Sequence, residues 1–83
     1  MINNLINRLL DFKEKDEENE EMFILINTDS DNVGYEMSVD KYYQVKFFKS
    51  LFDEDGFEEE KIDISLGEIK SIENNIKSFS FNF

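Results

Sequence analysis

The chain has 83 residues, a net charge of −11, and no histidine, cysteine or proline. This length fits one small domain spanning residues 1–83. The absence of cysteine excludes a disulfide framework and a thiolate metal site. A hydrophobic content of 40% with nine phenylalanines is too apolar for a disordered acidic tail.

The negative charge is concentrated in two short segments. Residues 14–21 contain six acids and one lysine, and residues 53–60 contain six acids and no base. Their charges of −5 and −6 account for the whole net charge of −11. Such blocks can be solvated loops that keep a small protein soluble. Alternatively, they indicate a surface made for a basic partner.

The first third of the chain predicts a helix followed by a hairpin. Apolar residues repeat at intervals of three and four over residues 2–13, which predicts an amphipathic helix with Asn3 as its N-cap. Residues 22–26 are uniformly apolar and predict a buried strand. Residues 28–34 are rich in turn formers, and the alternating pattern from residue 35 to 39 predicts the second strand of the hairpin.

Residues 41–52 fit both a strand and a helix. The apolar positions match a helix better over the full length, with Asp40 as a candidate N-cap. We therefore predict a helix over 41–52, followed by a loop over 53–60 that pivots at Gly56.

The last third predicts a strand, a helix and a second strand. Residues 61–64 alternate, and Ser65 with Glu68 forms a capping box. Apolar residues from Leu66 to Phe79 then follow helical spacing. Phe79, Phe81 and Phe83 alternate with polar residues, which predicts a strand docked on the core; an exposed aromatic hook is the alternative.

These elements predict an α+β domain in which a small antiparallel sheet packs with two or three helices, in the order α-β-β-α-β-α-β. The positions expected to share one core are Leu5, Leu9, Ile24, Ile26, Met37, Val45, Phe48, Ile64, Ile69, Ile72 and Ile76.

The residue types argue against catalysis and against cofactors. Histidine, the commonest general base, is missing, and the serines have no imidazole to activate them. Asp29 and Asp31 have the spacing of the first calcium ligands of an EF-hand, but Val33 occupies the fifth position and the flanks predict strands, which favours an acidic turn. We expect no enzyme, no metal and no cofactor.

Direct binding to nucleic acid or to membranes is also not expected. The chain contains a single arginine, and phosphate binding needs many basic side chains. The lysines at 41, 46 and 49 fit side chains flanking an apolar helix face. The N-terminus does not have the pattern of a signal peptide, the longest apolar run is too short to span a bilayer, and anionic lipid repels so acidic a protein.

The acidic blocks instead predict mimicry of nucleic acid. Duplex DNA carries one negative charge per ~1.7 Å of its axis, and six carboxylates in eight residues approach that density. A rigid domain with such blocks could occupy the basic groove of a nucleic-acid-binding protein. Phe57 in the second block could anchor where a base would stack, or it could be a core residue that closes the loop.

Three segments resemble the Cas9-inhibiting anti-CRISPR proteins of Listeria prophages. They are the opening helix around residues 4–6, the polar hairpin around residues 28–31, and residues 46–52, taken as a helix before an acidic run. The resemblance implies that acidic loop residues occupy the site that reads the PAM, and that the protein acts in the cytoplasm of an infected or lysogenic bacterial host. The residues to which it points are Asp29, Asp31, Glu36, Asp53, Glu54, Asp55, Glu58, Glu59 and Glu60.

The sequence thus predicts a non-enzymatic inhibitor that blocks a nucleic-acid channel, with a CRISPR-Cas effector as the favoured partner and Phe57 added to the acidic contacts. An immunity protein or antitoxin that neutralises a basic nuclease toxin is the main alternative. A structural or accessory phage protein without mimicry is the third. The sequence leaves the oligomeric state open.

Overall fold

A computed structural model describes all residues from 1 to 83. Five strands form one antiparallel sheet in the order β4-β3-β2-β1-β5. This confirms the predicted α+β class, but the order along the chain is α-β-β-β-β-α-β. The elements are α1 (Ile2–Lys15), β1 (Phe23–Thr28), β2 (Val33–Val39), β3 (Val45–Phe52), β4 (Glu58–Ile64), α2 (Leu66–Ser71), a 3-10 turn (Glu73–Asn75) and β5 (Ile76–Asn82).

The core lies between the helices and one face of the sheet. Helix α1 contributes one apolar stripe and α2 contributes Ile69, and both pack on the central strands β1 and β2. Of the expected core, Leu5, Leu9, Ile24, Ile26, Met37 and Ile69 are fully buried, and Val45, Ile64, Ile72 and Ile76 pack against them while partly buried. Ile2, Met22 and Val39 are buried as well.

The expectation for Phe48 was wrong. Its neighbour Phe47 packs against the core, and successive side chains of a strand point to opposite faces. Phe48 therefore lies on the face of the sheet that carries no helix, which we call the outer face.

The predicted helix over residues 41–52 was also wrong. Residues 45–52 form β3, which pairs with β2 on one side and β4 on the other. Backbone pairing on both sides outweighs an apolar pattern that matches a helix better over the full length but also fits a strand in part. Asp40 caps a turn instead of a helix: its Oδ1 accepts from the backbone N–H of Tyr42 at 2.8 Å and of Gln44 at 3.0 Å.

Tyr43 is the one non-glycine residue with positive φ, at 63°. It lies in the turn that joins β2 to β3, where a left-handed residue reverses the chain. The predicted loop over 53–60 is correct only for residues 53–57, because β4 already begins at Glu58.

The predicted C-terminal helix is much shorter than expected. Ser65 Oγ accepts from the Glu68 N–H at 3.1 Å, which confirms Ser65 as the N-cap, whereas the reciprocal hydrogen bond of the predicted capping box, from the Ser65 N–H to the Glu68 carboxylate, does not form. Helix α2 ends at Ser71. Residues 76–82 then pair with β1 as an edge strand. The predicted terminal strand is thus confirmed, and Phe12 of α1 packs on Phe81 with ring centroids 5.7 Å apart. Phe79 and Phe83 remain 38% and 54% exposed.

Helix α1 begins at Ile2 and has Met1, not Asn3, as its N-cap. The first acidic block, residues 14–21, begins within the last turn of the helix, and the part that follows the helix folds back on it. Lys13 is only 1% exposed, and its Nζ donates to the carbonyls of Glu17 at 2.8 Å and Asn19 at 2.7 Å. These two bonds fix the block to the end of the helix. Neither helix is long and apolar enough to cross a membrane.

Candidate functional site

Two hairpin tips meet at one end of the sheet. The β1–β2 tip is residues 29–32 and the β3–β4 tip is residues 53–57. They are neighbours because Val33 pairs with Leu51 and the Phe52 N–H donates to the Asn32 carbonyl at 2.9 Å. We call this region the acidic hairpin end. It contains Asp29, Asp31, Asp53, Glu54, Asp55, Phe57, Glu58, Glu59 and Glu60.

The β3–β4 tip is held by Asp53. Its Oδ1 accepts from the backbone N–H groups of Asp55 and Phe57, each at 2.9 Å. Its own N–H donates to the Phe57 carbonyl at 2.9 Å. Gly56 completes the turn with a φ of 85°, a conformation that glycine adopts without strain. These bonds fix the backbone from which Glu54 and Asp55 project into solvent.

Phe57 is 71% exposed at this tip. The core role considered for it from the sequence is therefore wrong. An exposed phenylalanine beside carboxylates remains available to contact a partner.

Glu58, Glu59 and Glu60 begin the edge strand β4, and all three are exposed. The register between β3 and β4 shifts here: Leu51 pairs with Glu60 and Phe52 with Glu58, which leaves Glu59 as an extra residue. An extended strand rises about 3.3 Å per residue. Each strand of duplex DNA carries one phosphate per about 3.4 Å of axis, so the number of charges per unit length is similar, although Glu58 and Glu60 lie on opposite faces of the sheet.

Little positive charge opposes these acids. One salt bridge reaches them, between Lys77 Nζ and Asp29 Oδ1 at 3.6 Å, and both side chains are more than 60% exposed. A pair this exposed contributes at most about 1 kcal/mol. The acidic hairpin end therefore keeps a strongly negative field.

Glu36 lies apart from the other predicted site residues. It is in the middle of β2 on the outer face, and its Oε2 forms a salt bridge with Lys61 Nζ at 3.2 Å. The structure therefore does not bring Glu36 to the acidic hairpin end, and its charge is already balanced.

The first acidic block lies at the opposite end of the sheet. The Tyr43 hydroxyl, in the β2–β3 turn, donates to Glu17 Oε1 at 2.9 Å. This hydrogen bond to a carboxylate raises the pKa of Tyr43 above its usual value. The two blocks thus lie at opposite ends of the sheet.

Sequence reasoning missed two features of this region. The first is the turn built on Asp53, although aspartate at the start of a turn that contains glycine is a usable signal. The second is the outer face, with Phe23, Leu25, Phe48 and Phe52. Recognising residues 45–52 as a strand would have assigned Phe48 and Phe52 to one face.

Comparison with protein families, with curated proteins and with solved structures finds no significant match to this chain. Of the three segments that carry the sequence-based resemblance to the Cas9-inhibiting family, residues 4–6 lie in α1 and residues 28–31 at the end of β1 and in the β1–β2 tip, whereas residues 46–52 belong to a strand and not to the expected helix. No group of three or more acidic side chains is arranged to hold a metal ion.

Proposed function

We propose that this chain is a non-enzymatic inhibitor that inserts its acidic hairpin end into the nucleic-acid channel of a basic protein. The observation that carries the proposal is the convergence of two hairpin tips at one end of the sheet. Acids that are more than twenty residues apart in sequence thereby form one negative surface, against which Lys77 is the single paired base.

The rigidity of the acidic hairpin end supports occlusion. A flexible acidic loop would lose conformational entropy on binding, whereas the hydrogen bonds of Asp53 fix the β3–β4 tip before it meets a partner. The negative field speeds encounter with a basic groove. Phe57, 71% exposed, supplies an apolar contact that slows dissociation.

A CRISPR-Cas effector is the favoured target because of the resemblance of the opening helix and the polar hairpin to the Cas9-inhibiting family. Action on such an effector places the protein in the cytoplasm of an infected or lysogenic bacterial host. Affinity capture from a host lysate followed by mass spectrometry would identify the target. A neighbouring toxin gene, together with capture of a nuclease toxin, would favour the immunity protein or antitoxin instead.

The test compares two variants that each lose six charges. The hairpin variant replaces the acids of residues 53–60 by asparagine and glutamine, and its Asp53→Asn change keeps the side-chain oxygen on which the tip depends. The control variant makes the same kind of replacement in residues 14–21. Both variants change the net charge equally, so only the location of the charge differs.

In a cleavage assay with guide-loaded Cas9, we expect the hairpin variant to lose inhibition and the control variant to keep it. Inhibition by the parent should weaken as salt rises, because ions screen the acids from the basic channel. Thermal stability of the hairpin variant should hold or rise, since repulsion within the block is relieved. Equal inhibition by both variants at physiological salt would rule out the hairpin end as the inhibitory surface.

A further inference from the structure

The outer face of the sheet is apolar at several positions and carries no helix. Phe23, Leu25, Phe48 and Phe52 lie on it, and none of them belongs to the core or packs against it. Phe52 rests on Gly34, where an added Cβ would come within 3.2 Å of the Phe52 ring. An antiparallel sheet can expose one face to water, but that face is then usually polar.

A groove of about 560 Å³ crosses this face between Phe23 and Phe48. Lys61 lies in it: its Nζ is 4.8 Å from the centroid of the Phe48 ring and 3.2 Å from Glu36 Oε2. A cation over an aromatic ring that also meets a carboxylate is a favourable arrangement. Lys61 thus occupies the site between the Phe48 ring and the Glu36 carboxylate. Its side chain is 41% exposed, so a partner's cation can displace it at little cost.

Charge decides between the possible occupants of the groove. Its walls include the acids Glu20, Glu21, Glu36 and Asp40, against the bases Lys46 and Lys61. A second copy of this chain, packed face to face, would bring the acids of two grooves together with half as many bases. A basic side chain of a partner protein can pair its charge with these acids while its aliphatic stem packs against the aromatic rings.

We infer that this groove is a docking site for an arginine-bearing segment of a partner protein. The arginine guanidinium stacks on the Phe48 ring and pairs with the Glu36 carboxylate, and it replaces Lys61 in both contacts. Arginine fits better than lysine because its planar group stacks on an aromatic ring and bonds a carboxylate through two N–H groups. The inference does not depend on nucleic-acid mimicry, since the groove lies outside the acidic hairpin end.

The test uses the full ¹⁵N-labelled chain and N-acetyl-arginine amide as probe, with N-acetyl-citrulline amide as its neutral isostere. We expect saturable shifts of backbone amides around Phe23, Glu36, Phe48 and Lys61 with the arginine probe and not with citrulline. Phe48→Leu, which keeps an apolar side chain on the outer face, should weaken binding about two- to five-fold, the range for an exposed cation on a ring.

Lys61→Gln should strengthen binding by a similar factor, because the internal competitor is gone. Lys77→Gln makes the same charge change outside the groove and serves as its control. The hairpin variant should bind the probe at the groove as the parent does, so failure of the proposed function leaves this result intact.

Three results would overturn the inference. Shifts that are the same for citrulline would show that the guanidinium charge is not recognised. Shifts that centre on the acidic hairpin end and are unchanged by Phe48→Leu and Lys61→Gln would show only general attraction of a cation to an acidic protein. A dimer in sedimentation equilibrium that Leu25→Ser disrupts would assign the outer face to a second copy.

Discussion

Replacing Lys13 by methionine should lower the free energy of unfolding by about 1–3 kcal/mol. Two charge-assisted hydrogen bonds, at 2.8 and 2.7 Å, disappear, each with a contribution of about 1.5–3 kcal/mol. Loss of the buried ammonium offsets part of this, since desolvating the charge costs several kcal/mol. Methionine keeps the apolar stem in its place, so the measured loss is the contribution of the two bonds less the desolvation cost of the ammonium.

Lys15→Met is the matched control, because it removes the same charge from an exposed position two residues further on. Its effect should stay within about 0.5 kcal/mol. Urea unfolding measures both variants, and a loss of about 2 kcal/mol corresponds to a fall in Tm of about 8–16 °C for a domain of this size.

The Lys13 bonds should also protect the first acidic block. Cleavage by a glutamate-specific protease within residues 14–21 should accelerate in Lys13→Met and not in Lys15→Met. If both variants unfold at the same urea concentration and are cleaved at the same rate, Lys13 does not hold the block and the reasoning fails.

Three further predictions concern the fold and its pH dependence. Ile69→Ala, at a fully buried position, should lower the free energy of unfolding by about 2–5 kcal/mol. Ile62→Ala on the edge strand should lower it clearly less. Equal losses in urea unfolding would contradict the assignment of the core. Deleting residues 79–83 removes most of β5 and its pairing with β1, so Tm should fall clearly in a thermal scan, and an unchanged Tm would show that β5 is not part of the stable sheet. The Ile2 N–H donates to Glu73 Oε1 at 2.8 Å, and this bond lowers the pKa of Glu73 in the folded state. The stabilisation by the Glu73 carboxylate is therefore present above the unfolded pKa and lost as pH falls through the folded pKa. Glu73→Gln should be less stable than the parent at pH 7, and a difference that persists undiminished at pH 2 would refute this role.

Local patterns in the sequence correctly predicted the elements that depend on interactions between residues close together in the chain. The stripe of Leu5 and Leu9 predicted α1, and Ser65 predicted the start of α2. Residues 45–52 were assigned to a helix because their apolar positions fit a helix over the longer segment 41–52, although part of the pattern also alternates as in a strand. Residues 76–79 were assigned to a helix because Ile76 and Phe79 are three residues apart, a spacing that the strand accommodates through the register shift beside Ile76. Their pairing with β2, β4 and β1 decides for strands, and pairing between distant segments cannot be derived from spacing within each of them.

The candidate site was predictable in composition but not in arrangement. The clustering of acids in residues 53–60 was visible in the sequence. That Asp31 would lie beside this block, and Glu36 away from it, depends on the strand order and on the Val33–Leu51 register. The exposure of Phe57 depends on the turn built by Asp53, which pulls the backbone of residue 57 into the tip and leaves its ring outside.

Displacement of nucleic acid is the most direct test of the proposed inhibition. A fluorescent target duplex bound to guide-loaded Cas9 is titrated with the parent chain, the hairpin variant and the control variant, and anisotropy reports release of the duplex. The account predicts that the parent and the control variant release it at similar concentrations, while the hairpin variant needs on the order of 100-fold more because its charge complementarity is lost. Inhibition of cleavage by the parent without release of the duplex, or equal release by both variants, would contradict it.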